Sequence, residues 1–175
     1  MTTKQDAIEY LQDIREHYNG YHEHKEKSAW AGVALYVLFA GTLLPIQLRG
    51  PDEIAYHIIY TVFILIVATL VFMYVRNQFG LKDEGRVYVA AAMQLTTEIM
   101  AMDEQEFEAS NFFQLPKTEN KQYDSDEILP NPVIQRAEKF RHSTLRLRPS
   151  DISKLLCYLI IITLTGGLLA ARFVL

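Results

Sequence analysis

Charge is missing from two long stretches of this chain. No Asp, Glu, Lys or Arg occurs between Ser28 and Leu48, and none between Ile54 and Val75. A helix in water needs a polar face, so these stretches are not ordinary surface helices. Each is about 20 residues, about 30 Å as a helix, which matches the hydrocarbon thickness of a bilayer. Cysteine is scarce as well: the single Cys157 rules out an intramolecular disulfide and a Cys-x-x-Cys metal pair. There is no Gly-x-Ser-x-Gly elbow and no Gly-Lys-Ser/Thr phosphate loop. Without these the sequence predicts no enzyme, and nothing in it calls for a cofactor or a metal. The start, Met1-Thr-Thr-Lys-Gln-Asp, lacks the basic region and short apolar core of a cleaved signal peptide.

What is present reads as an all-α membrane protein, with three transmembrane helices and a cytoplasmic helical region. Lipid offers no partner for unpaired backbone groups, so each apolar run is expected as a helix. Arg49-Gly50-Pro51-Asp52-Glu53 supplies the turn formers and charges of a tight loop between the first two runs. Residues 1–28 read as an amphipathic N-terminal helix, 29–76 as a transmembrane hairpin, 77–154 as a cytoplasmic helical region, and 155–175 as a third transmembrane helix. Within the cytoplasmic region, residues 110–131 read as a mobile loop.

In the first segment Thr3 and Asp6 form a capping-box variant, and Ile8, Leu11, Ile14 and Tyr18 recur at helical spacing. Asn19-Gly20 is expected to turn or break that helix. His17, Tyr21 and His24 would share a face if it continued, but without a third ligand an interfacial belt is the plainer reading. The first span carries small residues at Gly32, Ala34, Ala40 and Gly41, and Thr42 and Gln47 are its candidate pore-lining residues. Arg76 is expected to close the hairpin. Leu81 to Phe107 then reads as a long helix whose alanine run and methionines belong to a core. Asp103, Glu104, Glu106 and Glu108 lack the spacing of a calcium loop and read as a solvated acidic end.

Asn131-Pro132 is a helix start. The helix it opens is expected to reach about Leu147. Arg136, Lys139, Arg141, Arg146 and Arg148 make a basic patch on or just beyond it, a candidate site for a ligand or lipid headgroup. A nucleotide, a nucleic acid or a protein activator at the cytoplasmic face, or pairing with the acidic 103–127 region, are the other partners these cations would suit. In the third run Thr163, Gly167 and Ala171 fall at i, i+4 and i+8, a small-residue face expected to pack helix on helix in lipid and to support a homo-oligomer. Ser150 is its expected cap.

Orientation follows from the cations. Four precede the first span, one lies in the 49–53 loop, and eleven lie from Arg76 to Lys154. Cation-rich segments stay in the cytoplasm, so the amino terminus is expected inside and the carboxyl terminus in the periplasm.

An amphipathic helix, the polar run Tyr21 to Trp30 leading into a membrane hairpin, and a following cytoplasmic helix resemble the SLATT class over about residues 4 to 105. The third span departs from that class. Arg136-x5-His142 resembles the loose arginine–histidine pattern of HEPN ribonucleases, and with it the chain is also similar to small CRISPR-associated membrane accessory proteins. Both resemblances imply a regulated oligomeric pore or membrane-perturbing effector in the inner membrane of a bacterium, acting in anti-phage defence. The alternative is a non-catalytic anchor or scaffold for a soluble partner.

Overall fold

The computed structural model describes residues 3–48, 54–110, 113, 129–143 and 149–174, without the side chains of 46–48, 142, 143, 149–151 and 172–174. Every regular element among them is a helix: α1 (Lys4–Leu48), α2 (Ile54–Ala101), α3 (Glu104–Ser110), α4 (Asn131–Ser143) and α5 (Pro149–Val174). Three of these, α1, α2 and α5, are long and apolar enough to cross a membrane. The chain divides into two compact units, residues 1–23 with 82–146, and His24–Leu81 with Leu147–Leu175.

Two expected interruptions do not occur. α1 runs unbroken through Asn19-Gly20. A glycine inside a helix costs only about 1 kcal/mol, and packing on either side outweighs that. Leu11 and Ile14 are buried before it, and Tyr21 follows it against α2. Likewise α2 continues past Arg76, because a charge ends an apolar run without ending a helix. The real stop comes at Met102-Asp103. There the Asp103 carboxylate accepts from the Glu106 amide at 2.6 Å, and the Asp103 amide donates to Glu106 at 3.4 Å. This reciprocal cap starts α3, so Leu81 to Phe107 is not one helix and the acidic end is partly a structural device. α5 starts with Pro149 in its first turn, which places Ser150 inside the helix instead of at its cap.

The first unit packs around Ala7, Leu11 and Ile14 of α1, Ala91, Ala92, Leu95 and Ile99 of α2, and Val133 and Ala137 of α4. Phe107, Phe113 and Leu129 complete this core. The alanines let helices approach closely. The methionines take the other side: Met93 and Met100 are 52% and 64% exposed, not in the core as their spacing had implied. The Thr3–Asp6 cap is present in both directions, at 3.0 and 3.1 Å. Lys4 Nζ donates to the Met102 carbonyl at 2.6 Å, a cation just past the C-terminal end of α2 where the helix dipole favours one.

The second unit packs Ala29, Val33 and Tyr36 of α1 against Ala68, Val75 and Phe79 of α2 and Cys157 and Ile161 of α5. A smaller cluster joins Ala40, Tyr60, Ile64 and Leu168. Elsewhere large apolar side chains such as Leu35, Ile58, Ile59, Leu70 and Ile162 face outward, the surface a lipid solvent favours.

Candidate functional site

The basic patch resolves into parts with different surroundings. Arg136 and Arg141 project from α4 towards α2. Arg136 Nη2 donates to Glu98 at 2.7 Å, with the two side chains only 26% and 30% exposed. Arg141 pairs with Glu84 and also lies 3.5 Å from the Tyr88 hydroxyl. Glu84 and Glu98 are 14 residues apart, about 21 Å along a helix. The two arginines, five residues apart on α4, therefore reach in opposite directions and clasp α4 at two separated points. Lys139 is exposed and makes no ion pair among the described residues. Arg146 and Arg148 lie outside the described residues. So do residues 111, 112 and 114–128, most of the expected mobile loop and of the acidic region considered as a partner for the patch.

Beside the clasp, Tyr18 stacks on Tyr88 with ring centroids 4.9 Å apart. A Cβ at Gly85 would meet the Tyr21 ring at 3.4 Å, so glycine brings α1 and α2 into contact there. Arg86 Nε donates to His22 Nε2 at 2.6 Å, which leaves the His22 proton on Nδ1. His17 instead meets the edge of Tyr18. Among the described residues no three His, Cys, Asp or Glu side chains are placed to hold a metal ion. Asp6 and Tyr10 of α1 are held away from their ordinary values by their surroundings. The Thr3 hydroxyl and amide hold the Asp6 carboxyl below the usual carboxylate range. Burial, with Asp13 adding, pushes the Tyr10 phenol up.

In the second unit the small-residue face of α5 points outward. Thr163 and Gly167 are exposed and Ala171 is half-buried, while Cys157, Ile161 and Leu168 take the packed side. Nothing lies within 4 Å of a Cβ built at Gly167. Thr42 is exposed, and its hydroxyl is spent on the Phe39 carbonyl at 2.8 Å. The Gln47 side chain lies outside the described residues.

The chain matches no protein-family model, no curated protein and no solved structure.

Sequence reasoning identified the cations of α4 and missed the acids they bind. Glu84, next to Asp83, and Glu98 are scattered acids on a long helix, and nothing in their local spacing marks them. A signal did exist in composition. An amphipathic helix with buried Val133 and Ala137 must dock on something, and cations flanking that face favour acids on the partner helix.

Proposed function

We propose that this protein is a small homo-oligomeric membrane effector of the bacterial inner membrane, a pore former or membrane perturber in anti-phage defence, gated through its cytoplasmic helices. The observation that carries the reading is the two-point clasp of α4 onto α2 through Arg136–Glu98 and Arg141–Glu84. Only five residues, 144–148, join α4 to α5. On this reading a movement of α4 is passed to a membrane-length helix through a short linker. The cation count supports a cytoplasmic amino terminus and a periplasmic carboxyl terminus. The outward Thr163, Gly167 and Ala171 face supports self-association. The architectural resemblance to the SLATT class supports the effector role. We read the chain as non-catalytic, since Arg136, half of the Arg136-x5-His142 pattern, is engaged by Glu98.

The activating ligand on this reading is a nucleotide, nucleic acid, protein or anionic headgroup that competes with Glu84 and Glu98 for the arginines. Partly exposed pairs are each worth about 1 kcal/mol or less, so a polyanion can displace them. Charge reversal tests the gate. Arg136→Glu with Arg141→Glu is expected to release α4 and cause depolarisation or growth arrest on induction. Adding Glu84→Arg and Glu98→Arg is expected to restore the resting state. Depolarisation unchanged in both variants would sink the gate.

A second reading, a non-catalytic anchor for a soluble partner, draws on exposed Met93 and Met100 of α2. On that reading Met93→Glu with Met100→Glu loses a co-purifying protein and leaves the membrane potential unaffected.

A further inference from the structure

Between α2 and α5 in the second unit lies an apolar groove of about 290 Å³, lined among others by Leu65, Thr69, Phe72, Ile161, Thr165 and Gly166. Its hydroxyl protons are already used. Thr69 Oγ1 donates to the Leu65 carbonyl at 2.7 Å, and Thr165 Oγ1 donates to the Ile161 carbonyl at 2.6 Å while meeting the Tyr36 hydroxyl. An occupant therefore finds no free hydroxyl donor at this depth. Phe72 and Tyr158 mark one end of the groove, their ring centroids 4.5 Å apart.

The helices are antiparallel here, with rising numbers on α2 matching falling numbers on α5. One turn beyond Phe72 is Arg76, on the same face as Leu65 and Thr69 (i, i+4, i+7, i+11). One turn beyond Tyr158 in the matching direction is Lys154, on the face of Ile161 and Thr165. Arg76 is the first charge after the second apolar run, and Lys154 is the last before the third. Both therefore stand at one interface, above one end of the groove. Arg76 is exposed and makes no ion pair among the described residues.

We infer that this groove is a binding site for an anionic phospholipid, with one acyl chain along α2 and α5 and the phosphate at Arg76, where Lys154 adds positive charge at the same interface. The occupant follows from charge complementarity. A mostly apolar slot whose hydroxyl protons are all engaged takes a hydrocarbon chain, and the positive charge of Arg76 and Lys154 at its interfacial end selects a negative headgroup.

The test uses the full chain in detergent, titrated with equal amounts of dioleoyl phosphatidylglycerol and dioleoyl phosphatidylcholine, with bound lipid counted by native mass spectrometry. The glycerol lipid should be retained in preference, about fivefold for each cation that reaches the phosphate. Arg76→Gln with Lys154→Gln should reduce that preference to near parity. Gly166→Leu probes the chain: nothing lies within 4 Å of a Cβ there, and a larger side chain at this lining position takes up part of the slot. It should lower retention of both lipids while the particle keeps its size. Equal retention of the two lipids by the unmodified chain would mean unselective annular lipid and overturn the site. A preference that survives loss of both cations, or retention indifferent to Gly166→Leu, would overturn it as well. If the double variant does not purify, the unmodified chain and Gly166→Leu still decide.

Discussion

Tyr36 is 1% exposed and carries its hydroxyl into the packed centre of the second unit, where it meets Thr165 Oγ1 at 2.6 Å. Because Thr165 gives its own proton to the Ile161 carbonyl, Tyr36 is the donor in this link between α1 and α5. Tyr36→Phe keeps the ring and removes the bond, and should lower unfolding stability in detergent by about 0.5–1.5 kcal/mol. Glycines separate in the same way. A Cβ at Gly32 would stand 2.9 Å from the Tyr74 ring, whereas Gly41 faces open space. Gly32→Leu should therefore destabilise by about 1–3 kcal/mol, and Gly41→Ala should be neutral or slightly stabilising in the same thermal assay. Tyr10 makes a pH-dependent contribution. Its phenol is held above the usual value, so folding favours the neutral form. That contribution is complete below the unfolded tyrosine value and is lost as pH rises through the folded one. Carbon-13 labelling of tyrosine rings should show Tyr10 titrating later than the exposed tyrosines, and Asp13→Asn should bring it part of the way back.

At the scale of the helix, α1 offers the sharpest contrast between sequence and structure. Asn19-Gly20 has the composition of a turn, yet local chemistry proposes only a weak break. Neighbours on both sides, buried Ile14 and Tyr21 packed near Gly85, hold the helix straight through. If so, Gly20→Ala should stabilise by about 1 kcal/mol, since the position is helical and nothing crowds it. A turn with a left-handed residue would give the opposite sign in a thermal melt. Caps read more faithfully than breaks, because a cap is a local bond between residues three apart. Thr3 with Asp6 was legible for that reason, and Asp103 with Glu106 carries the same signature inside what looked like one acidic run.

Across the whole molecule, the three membrane-length helices were legible because lipid imposes one demand on every residue of a span, and absence of charge reveals it directly. The packing inside the first unit was not. Whether Met93 or Ala92 faces the core depends on which helix arrives from far along the chain, and their shared apolar character does not say. The same limit hid Glu84 and Glu98 as partners of Arg136 and Arg141. An expected outcome follows for the clasp as a pair. Arg136→Ala and Glu98→Ala should each weaken docking of α4, read as faster amide exchange over 131–143. The double variant should weaken it by less than the sum, because the second truncation finds its partner already gone. Raising salt should reduce the coupling, as both pairs are partly exposed.

Each unit draws on chain segments far apart in sequence, and this sets a schedule. Ala7, Leu11 and Ile14 leave the ribosome early, while Val133 and Ala137, against which they are buried, follow more than a hundred residues later. At ordinary rates of synthesis that interval is on the order of ten seconds. For that time the apolar side of the amino-terminal helix has an incomplete set of neighbours, while two membrane-length segments are being handed to the bilayer. Nascent chains halted after residue 110 should accordingly be cut by protease within α1, and chains halted with residues 129–143 emerged should resist. The arrival of α4 is then what closes the first unit.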